Sequence, residues 1–228
     1  MRIVLLGPQG AGKGTQAQRI SQRTGAKHIS TGDLVRAEIK SGSELGQTIK
    51  DYNDRGELVP DEIIISMLRP YLQQADSWIL DGFPRNEPQA EALDEMLMEI
   101  DAELDAAVAL EAPDEALIER FSGRRTSEAT GNIYHVLYDP PPENAAEDPG
   151  PFVQRKDDTE EAIRRRLKIY HEHTEPLKDY YAERGILHTV DATQGITEVT
   201  EDILRAARPR NRRGLGGHDK LREEEQGG

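Results

Sequence analysis

Gly7-Pro8-Gln9-Gly10-Ala11-Gly12-Lys13-Gly14-Thr15 is the stretch whose reading decides the fold. An apolar strand, Arg2 to Leu6, leads into it. A helix from Lys13 to Thr24, stopped by Gly25, leads out of it. A glycine-rich turn between a buried strand and a helix start is the context of a P-loop. The glycines let successive backbone N–H groups turn inward around phosphate oxygens. The helix N-terminus adds the positive end of its dipole, and Lys13 reaches between the β- and γ-phosphates as a point charge. The bland alternative is a tight strand-to-helix turn that binds nothing, and spacing and context together argue against it.

One position departs from the general pattern. Gly14 follows the lysine where a Ser or Thr is usual, and the hydroxyl comes one residue later, at Thr15. The direct Mg²⁺ ligand beside the lysine is thus missing, so phosphates and water are expected to hold the metal. Asp81, at the end of an apolar run from Trp78, either holds those waters or caps the turn before Gly82.

Outward from the cradle, strands alternate with helices. Lys27 to Ser30 read as a strand, and helices follow at about Asp33 to Lys40 and Glu44 to Asp54, broken by Gly42 and Gly56. A helix opens at Pro60 and runs to about Leu68. Trp78 to Asp81 read as a strand, Pro88 to Ile100 as a helix, Leu104 to Leu110 as a strand and Pro113 to Phe121 as a helix. After an interruption, helix resumes from Thr159 to about Arg184. Ile186 to Val190 give a last strand and Thr197 to Ala207 a last helix. This alternation predicts an α/β fold with a parallel sheet covered on both faces.

The interruption, residues 123–158, carries Thr, Ser, Gly and a Pro run at 140–142 with little helical period. A loop of that length needs structure of its own, and Ile133-Tyr134-His135 and Val136-Leu137-Tyr138 predict two short antiparallel strands. Residues 209–228 hold five glycines among mixed charges and predict a disordered tail. A basic partner-binding arm is the alternative there, weakened by almost as many acids as bases.

Composition narrows the classes. The formal net charge is -14, which argues against a nucleic-acid surface and requires any anion site to concentrate its cations locally. Arg124-Arg125, Arg155-Lys156 and Arg164-Arg165-Arg166 are such concentrations. The acidic balance fits a salty habitat, a hot one, or solubility alone. Cysteine is absent, which excludes disulfides and fits a cytoplasmic location. Mean hydropathy is -0.72 and no apolar run nears membrane-spanning length. The six-residue opening run is too short for a signal peptide. His171 and His173 are two apart on a helix and share no face, so with His135 they do not read as a metal set.

Five motifs then occur in order: GPQGAGKGTQ at 7–16, STGD at 30–33, DGFPR at 81–85 with Gln89, GRR at 123–125, and RKDD at 155–158 with Arg166. Together they resemble the adenylate kinase family, of the long-lid type, over residues 1 to about 207. The resemblance implies a P-loop NTPase fold: a five-stranded parallel sheet flanked by helices, built from residues 1–29, 60–122 and 159–208. It implies an AMP-binding domain at 30–59 and a lid at 123–158. It further implies ATP, AMP and ADP as partners, Mg²⁺ with the nucleotide, a monomer, and neither nucleic acid nor membrane. Many long-lid members bind zinc through lid cysteines. Here Ser127, Thr130 and nearby acids stand at the candidate positions, so a hydrogen-bonded cluster without zinc is expected.

Residue by residue, the resemblance implies that Gly10, Ala11, Gly12, Lys13, Gly14 and Thr15 hold ATP phosphates. Arg120 would lie near the ATP base, Arg124 on phosphate, and Ile133 and Tyr134 would complete the lid contacts. Gln194 would meet the ATP adenine through its backbone carbonyl. Thr31 and Arg36 would contact AMP, and Glu57, Leu58 and Val59 would line its adenine. Gly82, Phe83, Pro84 and Arg85 would hold AMP, with Arg85 on its phosphate, and Gln89 would bond the adenine edge. Arg155 and Arg166 would reach the transferring phosphoryl and the AMP phosphate. Arg164 and Arg165 read instead as solvated ion-pair partners.

Bottom-up chemistry agrees. The nucleophile would be an AMP phosphate oxygen, anionic already, so no general base is required. Bringing two polyanions in line is a matter of positioning and charge, which Lys13, Arg85, Arg124, Arg155, Arg166 and Mg²⁺ would supply. Three competing readings remain: a UMP/CMP kinase on the same scaffold, a GTP:AMP phosphotransferase, and a non-catalytic nucleotide-binding module.

Overall fold

The computed structural model describes residues 1–54, 59–154 and 159–208. In chain order the elements are β1 (Arg2–Leu6), α1 (Lys13–Thr24), β2 (Lys27–Ser30), α2 (Thr31–Ser41), α3 (Glu44–Asp54), α4 (Asp61–Gln73), β3 (Trp78–Asp81), α5 (Glu87–Glu99), β4 (Ala106–Glu111), α6 (Asp114–Ser122), β5 (Arg124–Ser127), β6 (Ile133–His135), β7 (Phe152–Val153), α7 (Glu160–Ile169), a π-helical turn (Tyr170–Thr174), α8 (Leu177–Glu183), β8 (Leu187–Asp191) and α9 (Ile196–Ala206).

Five strands form one sheet in the order β2-β3-β1-β4-β8, every pair parallel. Buried on both faces, its central strands read as near-continuous apolar runs. Period two divides them between two cores. Ile3, Leu5, Val108 and Leu110 pack with Ile20 of α1, Phe121 of α6, Leu167 of α7 and Ile203 of α9. Val4, Leu6, Trp78 and Leu80 pack on the opposite face with Leu72 of α4, Leu93 of α5 and Tyr181 of α8. The α/β fold with a five-stranded parallel sheet flanked by helices is thus as expected.

Register fixes what lies at the carboxyl edge, where ligands bind in open parallel sheets. Leu5 pairs with Asp81, and Ser30 also pairs with Asp81. Leu6 pairs with Ala109. The turn at Gly7 is therefore flanked by Asp81 on one side and by the end of β4 on the other.

Several local expectations are corrected. The helix expected to end near Leu68 continues to Gln73 through Pro70, because Leu72 is buried in the core and rewards the extra turn. The single helix expected from Thr159 to Arg184 is broken by the π turn at Tyr170–Thr174 before α8 begins. Residues 136–138 form a turn and not a strand. The His135 ring replaces ladder bonding there: its Nδ1 accepts from the N–H groups of Leu137 and Tyr138 at 3.1 and 3.2 Å. The partners of β6 are supplied elsewhere, since β6, β5 and β7 form a small antiparallel sheet with β5 central.

Candidate functional site

The phosphate turn is built on backbone that suits glycine. Gly7 adopts φ 137° and a Cβ there would lie 2.6 Å from the carbonyl oxygen of Leu110. Gly10 adopts φ 86° and a Cβ there would lie 2.8 Å from the Phe121 ring. Side chains at either place would push the turn off the sheet edge. α1 then starts at Lys13 with no acidic residue in its first turn, so its unpaired N–H groups and dipole face the turn unopposed.

Lys13 curls back over this turn. Its Nζ donates to the carbonyl oxygens of Gly7 and Pro8 at 2.7 and 2.9 Å. Burial lowers its pKa, the Asp81 carboxylate opposes that effect, and the Arg85 charge adds to it. Arg85 is likewise lowered by burial, against Asp81 and with Arg166. Four groups from three parts of the chain, Lys13, Asp81 with Arg85, and Arg166, thus share one electrostatic neighbourhood. Arg166 of α7 also donates from Nη1 to Gln9 Oε1 at 2.9 Å. A cation-rich pocket over a helix N-terminus is suited to a polyphosphate.

A family model for adenylate kinase matches residues 5–186. The chain is 48% identical to an adenylate kinase of Archaeoglobus fulgidus over 89% of its own length and 96% of that protein. It is 48% identical to an adenylate kinase of Acetivibrio thermocellus, covering 90% and 97%, and 49% identical to one of Thermodesulfovibrio yellowstonii, covering 89% and 97%.

The chain belongs to the adenylate kinase family. The fold carries the motif residues of adenylate kinase to the same sheet edge in several cases. The Gly82–Arg85 turn follows β3 and is held tightly. The Arg85 N–H donates to Gln89 Oε1 at 2.8 Å and its Nε donates to the Gly82 carbonyl at 2.8 Å. Gln89 is buried, and its Nε2 also donates to Asp61 Oδ1 at 2.6 Å. One amide hydrogen and one oxygen lone pair of Gln89 are left over from these bonds. The Thr31 hydroxyl donates to the Asp81 carbonyl at 3.2 Å, which ties the start of α2 to the end of β3 beside that turn. Arg36 pairs with Asp33, whose carboxyl is pushed up by burial but held down on balance by Arg36, Ser30 and His28 together.

On the other side of the P-loop, Arg120 Nη1 donates to the Ala192 carbonyl at 2.7 Å. This anchors α6 to the loop that carries Gln194. The Gln194 side chain folds onto its own turn, donating to the Asp191 carbonyl and Asp202 Oδ2. Arg124 lies over the Phe121 ring. Ile133 is exposed, whereas the Tyr134 hydroxyl donates to Asp148 Oδ2 at 3.0 Å.

Asp148 organises the small sheet. It is 1% exposed and accepts from Ser127 Oγ and Thr130 Oγ1 at 2.6 Å each and from the Gly150 N–H at 3.1 Å. Burial raises its pKa, but these bonds prevail and hold the carboxyl well below the usual range. No group of three or more His, Cys, Asp or Glu among the described residues could hold a metal ion. His171 is engaged with Glu175 and Asp114 instead.

Glu57, Leu58, Arg155 and the tail 209–228 lie outside the described residues. Sequence reasoning missed Gln9, Thr174 and His28. His28 Nε2 approaches Asp81 Oδ2 at 3.6 Å. The signal for it was available: alternation in β2 puts His28 on the same face as Ser30, whose register partner is Asp81. No described helix is long and apolar enough to cross a membrane.

Proposed function

We propose that the chain transfers a phosphoryl group reversibly from ATP to AMP, giving two ADP, with Mg²⁺. The observation that carries this reading is the convergence of Lys13 and Arg85 around Asp81 at the end of β1 and β3, with Arg166 beside Arg85 and bonded to Gln9 of the phosphate turn. Two polyanions need such a cluster, whereas a binding module for one nucleotide does not. UMP and CMP as acceptors on this scaffold are not favoured, because Thr31 and Gln89 both stand in the acceptor motifs.

Lys13 and the N–H groups of residues 10–15 bind the donor phosphates, together with Arg120, Arg124, Ile133, Tyr134 and Gln194. Thr31, Arg36, residues 57–59, residues 82–85 and Gln89 bind AMP. Arg155 and Arg166 meet the transferring phosphoryl. The attacking phosphate oxygen is already charged, so these residues orient it and spread the charge of the equatorial oxygens. Residues 30–59 form the AMP-binding domain and 123–158 the lid, which close over both substrates and exclude water, the main competing nucleophile.

The Asp81 carboxylate, next to Gly14 and largely withdrawn from solvent, fits an outer-sphere Mg²⁺ held through water. Bound there, the ion would neutralise phosphate charge and hold the donor's geometry. A coupled assay over a panel of donors and acceptors tests the reading. AMP with ATP should turn over fastest, and a faster rate with UMP or CMP would refute it.

A further inference from the structure

The helix leading away from the lid is broken by one π turn, and a residue before the break and the last residue of the turn reach the two phosphate-handling loops. Arg166 on α7 donates to Gln9 of the P-loop at 2.9 Å. Eight residues later Thr174 ends the π turn, and its Oγ1 donates to the carbonyl oxygen of Arg85 at 2.7 Å. The amide and side chain of Arg85 are held by Gln89 of α5 and by Gly82, both within four residues of it. The bond from Thr174 is the anchor that comes from a distant part of the chain.

We infer that Thr174 is a positioning residue for Arg85. The π turn sets its angle. Eight residues of α-helix would place Thr174 about 80° past the face of Arg166, at 3.6 residues per turn. The π turn, closed by the Glu175 N–H donating to the Tyr170 carbonyl at 2.9 Å, is wider and advances less per residue. Thr174 is thereby drawn back toward the face that carries Arg166. One rod then fixes the spacing between the P-loop and the Gly82–Arg85 turn, which is the spacing between donor and acceptor phosphates. Such turns recur at functional sites. The inference rests on the reading of Arg85 as a ligand of the AMP phosphate.

Thr174→Val keeps the shape and removes the donor, and Thr174→Ser keeps the hydroxyl. Initial rates with each nucleotide varied, and calorimetric titration with AMP alone, give the readout. Thr174→Val should raise KM and Kd for AMP about 3- to 10-fold, the scale of one hydrogen bond, with KM for ATP within about twofold. Thr174→Ser should restore the wild-type values. In an Arg85→Ala background Thr174→Val should add nothing, because its effect runs through Arg85. If the valine variant melts early, Thr174→Ala against Thr174→Ser decides in its place. An unchanged AMP affinity, an equal rise for both nucleotides, or a serine variant as impaired as valine would overturn the inference while leaving Arg85 in its role. Normal AMP affinity in Arg85→Ala would overturn both.

Discussion

The Arg124 guanidinium lies 4.2 Å from the centroid of the Phe121 ring, and the same ring fills the space that a side chain on Gly10 would need. One aromatic residue thus touches both β5 of the small antiparallel sheet and the glycine-rich turn. Arg124 is held beside the glycine-rich turn through Phe121. Arg124→Ala should lower kcat by at least ~10²-fold, the scale of a lost arginine finger, with a smaller change in KM. Arg155→Ala carries the same expectation from its motif. The control is Arg164→Ala: this side chain pairs with Glu160 on the open face of α7 and should be near neutral. Steady-state kinetics in both directions check this, and equal losses for Arg124 and Arg164 would refute it.

Lys13 is held at a cost to stability. Its pKa is depressed in the folded state, first by burial. A base lowered in this way destabilises the fold below the folded value and is relieved as pH rises through it. Lys13→Met should therefore cut kcat by roughly 10²-fold or more while the melting temperature at neutral pH stays level or rises. A marked drop in melting temperature with activity retained would be the contrary result.

The Asp148 cluster should behave as a staple that needs no metal. Its carboxyl is depressed in the folded state, so its contribution is present above the unfolded value near 3.8 and is lost as pH falls toward the lower folded value. Asp148→Ala leaves the Ser127 and Thr130 hydroxyls and the Gly150 N–H without their acceptor. Hydrogen exchange should quicken at amides of β5 and β6 and stay unchanged in β1 and β4. Elemental analysis after a chelator wash should find far less than one zinc per chain. A stoichiometric zinc with a chelator-sensitive melting temperature would contradict the expectation.

His171 predicts a small pH effect of opposite sign. The Glu175 hydrogen bond chiefly raises its pKa, burial opposes, and Asp114 adds to the rise. Lys178 bridges Glu175 to Glu111 behind it. A raised base stabilises fully below its unfolded value near 6.5, and the effect fades as pH climbs through the folded value. The melting temperature of the wild type should exceed that of His171→Gln by more at pH 6 than at pH 9. The ring is 44% exposed, so the difference will be modest.

The local signals were strong enough to place the sheet strands and the phosphate turn. Arg2–Leu6 and the glycines at 7, 10 and 12 each reveal their backbone state within a few residues, because steric limits act at that range. The short strand at Ile133–His135 was legible for the same reason. Residues 136–138 were not, since apolar composition resembles a strand whether or not a partner is present, and the turn depends on where the His135 ring points.

The sequence by itself determined a P-loop α/β protein whose motif order places it with the adenylate kinases. Only the tertiary structure decided the strand order β2-β3-β1-β4-β8, the contact of Arg166 with Gln9, the clamp of Thr174 on Arg85, and the convergence of Ser127 and Thr130 on Asp148. The physical reason is range. Periodicity tells which face of an element is apolar, but the partner across that face is selected by packing among residues far apart in sequence. The π turn shows the limit plainly: the residues 170–174 would suit an α-helix, and packing of the surrounding chain gave them a wider one.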